Sequence, residues 1–181
     1  MSFADLAHLK QVGERGELYY NSGRFARLIR VLAAEYDSAV AFYEDLAAFY
    51  TRKGGRETPI NKVGQYQLLG EFAAGMPGQP QRGSRSETGE EDRMERLQWL
   101  CRYDMALHEK PRVMPAWVTI DGSRTHRQRV LDFYGASGNL ERYLPEYAGW
   151  EPKKVLKQAH IEVFPFDPES GAQGECAILF D

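Results

Sequence analysis

Hydrophobic side chains in the first half of the chain recur at helical spacing. Phe25, Leu28, Ile29, Leu32, Ala33 and Tyr36 share one helical face, which predicts a helix turning that stripe toward a core. Asn21 or Ser22 stands where a side-chain oxygen can accept from the orphan N–H groups of its first turn. A shorter stripe, Leu6, Leu9 and Val12, comes before it. Gly13 and Gly16 each cost that segment about 1 kcal/mol relative to alanine, so it must lean on tertiary contacts. After Asp37 and Ser38, the positions Phe42, Leu46, Phe49 and Tyr50 predict a third helix, stopped by "KGG" at 53–55. Thr58 and Pro59 then read as an N-cap with proline at the first helical position. The fourth helix runs from there to about Ala74, with Val63, Tyr66, Leu69 and Phe72 as its apolar members.

"GMPGQPQRGSRSETGE" at 75–90 has too little apolar content to bury anything and reads as a mobile surface loop. Its end, Thr88-x-x-Glu91, matches a capping box, so a fifth helix is expected from near residue 90. Pro111 and Pro115 break that helix, and "AWVTIDG" at 116–122 reads as a short strand. Residues 124–134 and 139–148 predict two short helices around "GASGN". "HIEVFPFD" and "ECAILFD" alternate with period two and form a hairpin, whose first strand Pro165 places at an edge. The pattern predicts a mostly α, bundle-like fold with a small C-terminal antiparallel β-hairpin, an α+β arrangement. A single domain over 1–181 is expected, with a helical core at 2–110 and an α+β part at 111–181.

Composition narrows the classes. The chain has 181 residues, of which 43% are hydrophobic and 12% aromatic, enough to bury a core and too apolar for wholesale disorder. No apolar run reaches the roughly 20 residues that span a bilayer, and "MSFADLAHLK" lacks the pattern of a signal peptide. Two cysteines among these residues suit a reduced, cytoplasmic setting and are too few for a disulfide framework. A formal charge of −3 gives no reason to expect nucleic-acid binding; "RTHRQR" at 124–129 and "KKVLK" at 153–157 are short and lie near acids.

The densest candidate chemistry is "LCRYDMALHEKPR" at 100–112. At about 100° per residue, Met94, Leu97, Cys101, Met105 and His108 share one sector, with Asp104 beside it and Leu100, Tyr103 and Leu107 beyond. Cys101, Asp104 and His108 are therefore expected to face inward, and Glu95, Gln98, Arg102 and Glu109 to face solvent. Cys101 and His108 lie about 10.5 Å apart along the axis, too far to share one metal comfortably. Asp104 and His108 could share an ion only with further ligands, and His8, His126 and His160 offer none at metal-site spacing. Cys101 between Leu97 and Met105 reads as a small core residue. No Gly-rich phosphate loop, G-x-S-x-G or H-E-x-x-H is present. No catalytic residue and no metal ligand is assigned. Asp104 alone needs a partner, because an unpaired carboxylate between apolar stripes costs several kcal/mol. An arginine of "SGRFAR" at 22–27 is one candidate, and a group outside the chain is the other.

Three stretches carry a resemblance: "DLAHLKQVGERGELYYNSGRFARLIRVL" at 5–32, "CRYDMALHEKPRVMPAW" at 101–117 and the terminal "FPFDPESG…ILFD". They resemble the C-terminal domain of cobalamin-binding radical SAM proteins, bacterial Fe–S oxidoreductases in which this region is often labelled a domain of unknown function. The resemblance spans most of the chain except 75–90. It implies that the chemistry lies upstream, in a Rossmann-like domain holding cobalamin and a partial barrel. The barrel binds a [4Fe–4S] cluster through C-x-x-x-C-x-x-C, together with S-adenosylmethionine. This sequence has no such motif; Cys101 and Cys176 are 75 residues apart. The expected role is a non-catalytic accessory domain that holds no cofactor itself and packs against the upstream barrel and cobalamin-binding domain. Segment 5–20 would lead in from the barrel, and the bare strand end "AILFD" would suit an excised domain. The candidate interface or cleft residues are Asn21, Ser22, Arg24, Asp104 and His108. A free-standing helical protein binding a small molecule or peptide is the alternative, and an independent metalloenzyme built on Asp104 and His108 a more remote one.

Overall fold

The computed structural model describes residue 10 and residues 12–53, 60–76, 87–109, 113–119, 124–159 and 161–180. The fold is mostly α with one small antiparallel sheet. The chain divides into two compact units, Met1–Val118 and Thr119–Asp181.

In the first unit, residues 12–16 are α-helical and pass into a π-helical turn, Glu17–Asn21. Gly23, at φ 68°, takes the left-handed conformation that redirects the chain, and its N–H donates to the Tyr20 carbonyl. Four helices follow: α1 (Ala26–Ala33), α2 (Ala39–Arg52), α3 (Lys62–Gly75) and α4 (Glu87–His108). Ser38 caps α2 by accepting from Ala41 N at 3.1 Å, and Asn61 caps α3 by accepting from Gly64 N at 2.7 Å. The cap expected at Thr58 and Pro59 is thus replaced by Asn61; those two residues lie outside the described ones. Most of the 75–90 loop does too. The helix α4 already includes Glu87, so Thr88 stands inside it rather than at its N-cap. Of the short N-terminal stripe, Leu6 and Leu9 are also outside the described residues.

Helix α4 is the axle of the unit. Every residue from Trp99 to Ala106 is buried, more than two turns without a solvated face. A helix carries no wet side when neighbours surround it, and the single inward stripe read from the sequence understates this burial. Arg102, expected on a solvated face, is only 7% exposed. Nearer its start, Arg93 donates from Nε and Nη2 to the two carboxylate oxygens of Glu35 at 2.9 and 2.8 Å, and from Nη1 to the Ala73 carbonyl. The fork matches the carboxylate geometry, so α4 grips the residues just past α1 and the end of α3.

Aromatic rings join the other elements. Phe25 lies between Tyr19 and Tyr66, with ring centroids 4.7 and 4.4 Å away, and Phe72 meets Phe42 and Phe49 edge-on. Residues 116–119 are a turn and not the expected strand; the rest of "AWVTIDG" lies outside the described residues. Helix α3 explains the turn. Trp117 Nε1 donates to the Tyr66 carbonyl at 3.0 Å, Ala116 N donates to Gln67 Oε1 at 2.8 Å, and the indole lies flat against Gly70.

The second unit holds α5 (Arg124–Gly135), α6 (Asn139–Tyr143), a 3-10 turn at Pro145–Tyr147 and α7 (Pro152–Val155). It ends in the hairpin β1 (Ile161–Phe166) and β2 (Gln173–Leu179). Val130, Tyr134, Leu140, Leu144, Val155, Ile161 and Val163 form its core. The register runs from Ile161 opposite Leu179 to Phe164 opposite Cys176, then shifts so that Phe166 faces Gln173. Pro165, which lacks an N–H, sits at the shift. Asp167 organises the turn, accepting from Glu169 N and Ser170 Oγ. Among the described residues no helix is long and apolar enough to cross a membrane.

Any side chain at position 70 would collide with the Trp117 ring. Gly70→Ala is therefore expected to lower stability by about 1–3 kcal/mol, read as a shifted urea midpoint with an unchanged slope.

Candidate functional site

The candidate residues gather around the turn that enters α1. That helix has Phe25 at its N-cap position, and no local side chain caps it. Its first turn is capped from another helix. Asp104, fully buried on α4, accepts from Arg27 N at 3.1 Å and from Leu28 N at 3.0 Å through Oδ2, with Oδ1 3.4 Å from Arg27 N. A helix N-terminus presents unsatisfied donors and the positive end of its dipole, so a buried carboxylate is well placed there. Of these donors, Arg27 N belongs to the backbone of "SGRFAR" and Leu28 N follows directly after it. Arg27 itself lays its guanidinium over the Tyr103 ring, 5.3 Å from the centroid.

Arg24 makes the second set of ties. Nη1 donates to Glu109 Oε1 and Nη2 to Gln65 Oε1, each at 3.3 Å, while the Arg24 carbonyl accepts from the Tyr66 hydroxyl at 2.7 Å. Glu109 holds a second cation, Lys62, at 2.6 Å. Its side chain is only 6% exposed, although the helical wheel placed it in solvent. Glu109 joins the entry turn, the start of α3 and the end of α4, a role that the apolar pattern gives no means of finding. Burial, and secondarily the Asp104 charge, pushes the Tyr66 phenol above its usual range, so it stays a neutral donor.

Asn21 and Ser22 are exposed. Neither caps α1; Ser22 Oγ accepts only a local bond from Arg24 N at 3.4 Å. His108, expected to point inward, is exposed. The wheel sets a direction but not a depth, and His108 is the last residue of α4, beyond its buried stretch. An Asp104–His108 dyad is therefore not built: one partner is solvated and the other is fully buried on backbone donors. Cys101, one turn before Asp104, is buried, and desolvation followed by the Asp104 charge raises its thiol well above the ordinary value. Such a thiol is a poor nucleophile. Among the described residues no three His, Cys, Asp or Glu side chains group as metal ligands. His8 and His160 lie outside the described residues.

What this constellation does is tie helices together. A family model described as "Protein of unknown function (DUF4080)" matches residues 1–180. The chain belongs to the DUF4080 family. No curated protein and no solved structure matches it. For this DUF4080 chain the geometry around α1 is what bears on function, because the family description carries no reaction.

Two outcomes follow from that geometry. Asp104→Asn, which removes the charge and one acceptor, should lower stability by about 1–3 kcal/mol, whereas His108→Ala should stay within about 0.5 kcal/mol; paired denaturant titrations compare them. Iodoacetamide applied to the native protein at neutral pH should leave Cys101 unmodified, with labelling appearing only in denaturant, as peptide mass spectrometry would reveal.

Proposed function

We propose that this DUF4080 chain is a non-catalytic accessory domain, like the C-terminal domain of cobalamin-dependent radical SAM enzymes that it resembles, packing against a barrel and helping to close its site. One observation carries the non-catalytic part. The side chains with the most reactive potential are already used by the fold: Asp104 by the N–H groups of α1, Glu109 by Arg24 and Lys62, Cys101 by burial. The chain's thiols do not fit a cluster bound by C-x-x-x-C-x-x-C. There are two of them, one in the core and the other partly buried on β2 with its thiol also raised by desolvation. Cobalamin, the [4Fe–4S] cluster and S-adenosylmethionine would then belong to other parts of a radical SAM Fe–S oxidoreductase.

The accessory role has a physical rationale. Closing a site against water protects reactive intermediates from side reactions. Of the five candidate residues, Asn21, Ser22 and His108 remain free to meet a barrel surface, Arg24 is half-buried, and Asp104 supports them from below. The motivating features are the sequence segments at 5–32 and 101–117.

The isolated chain, reconstituted anaerobically with iron and sulfide, is expected to hold no stoichiometric cluster or cobalamin and to leave S-adenosylmethionine uncleaved. Stoichiometric binding or turnover would overturn the reading. Addition of the barrel-bearing polypeptide should slow hydrogen exchange at residues 21–24 and near 108, and unchanged exchange there would remove the docking role.

A further inference from the structure

The turn that enters α1 is strung between two buried rings, Tyr19 and Phe25. Between them Tyr20 is 71% exposed, and Asn21 and Ser22 are exposed beside it. Gly23 brings no side chain, and its φ of 68° is a conformation that other residues reach only with strain. Ser22 Oγ bonds only within the turn. A short exposed connection of this kind samples several conformations unless a contact outside it selects one. Arg24 makes such contacts: Nη1 donates to Glu109 Oε1 and Nη2 to Gln65 Oε1.

The groups that hold Arg24 are unequal. The Tyr66 hydroxyl donates to the Arg24 carbonyl at 2.7 Å, a neutral bond on the α1 side of Gly23. Gln65 is a neutral acceptor. Glu109 alone brings a charge, and hydrogen bonds between ionised partners are roughly twice as strong as neutral ones. Its place is fixed as well. It follows directly on α4, its N–H donates to the Met105 carbonyl at 2.8 Å, and its side chain is buried. The second cation on Glu109, Lys62, lies nearer at 2.6 Å but is 62% exposed. Water competes for the charge of Lys62, and that residue belongs to α3 and not to the turn.

We infer that Glu109 is a positioning residue: acting through Arg24, it holds the exposed turn 20–23 in one conformation and so presets the surface that a partner meets. That this surface is a docking face rests on the accessory-domain reading; the hold of Glu109 on the turn does not.

Amide hydrogen exchange of the full chain, followed residue by residue by NMR, tests the hold in the wild type, Glu109→Gln, Arg24→Met, the double variant and Lys62→Met. The amide that reports on the turn is Gly23, which donates to the Tyr20 carbonyl; Leu28 and Ile29, bonded to Asp104 and the Phe25 carbonyl, report on α1. Glu109→Gln keeps the shape of the side chain and removes its charge. It is expected to speed exchange at Gly23 about tenfold while Leu28 and Ile29 stay as in the wild type. Arg24→Met should match it, the double variant should add nothing, and Lys62→Met should leave Gly23 unchanged. A rise that includes Leu28 and Ile29, as a merely structural role would give, overturns the inference. So does Gly23 exchange that ignores Glu109→Gln or responds as strongly to Lys62→Met. If Glu109→Gln does not fold, the contrast between Arg24→Met and Lys62→Met decides. Toward the barrel-bearing polypeptide, Glu109→Gln should bind about tenfold more weakly than the wild type, and equal binding by the two overturns the presetting. A wild type that does not bind removes the docking role and leaves exchange at Gly23 to decide the role of Glu109.

Discussion

A buried carboxylate under a short helix sets the organisation of the first unit. Helix α1 is eight residues long, too short to persist alone in water, and has no local cap. Helix α4 supplies what it lacks at both ends: Asp104 satisfies the N–H groups of its first turn, and Arg93 grips Glu35 just past its last. The carboxylate of Asp104 also suits the positive end of the α1 dipole. Because both anchors lie on α4, the two ends of α1 are held from one helix. The entry turn at Gly23, and with it Asn21, Ser22 and Arg24, inherits that placement.

Much of the architecture was legible because each element's information is local. The stripes through Leu28 and Leu32, through Phe42 and Leu46, and through Leu69 and Phe72 all lie in helices with those residues buried, and the alternating C-terminal runs pair as a hairpin. What escaped was non-local. The cap of α1 comes from a residue 76 positions away, so a search for a neighbouring Ser or Asn found Asn21 and Ser22 instead. Ala116 and Trp117 look like the start of a strand until α3 supplies hydrogen bonds at Gln67 and Tyr66 that pull them into a turn. Periodicity also fails when a helix is enclosed. Arg102 sits on the expected polar face yet is buried, and His108 sits on the expected apolar face yet is exposed.

The same enclosure bears on chemistry. The stretch from Cys101 to Glu109 contains the residue types of an active site, and the fold spends them on holding itself together. Asp104 and Glu109 are acceptors for structural donors, and the thiol of Cys101 lies in apolar surroundings with a negative neighbour, conditions that suppress a thiolate. Their density in the sequence marks the mechanical centre of the unit.

The hairpin of the second unit carries its own irregularity. Pro165 lacks a backbone N–H, and the pairing between the strands shifts at that place, between Phe164 and Phe166. A residue with no donor to satisfy stands where the ladder slips, so the change of register strands one hydrogen-bonding group fewer than any other residue would there.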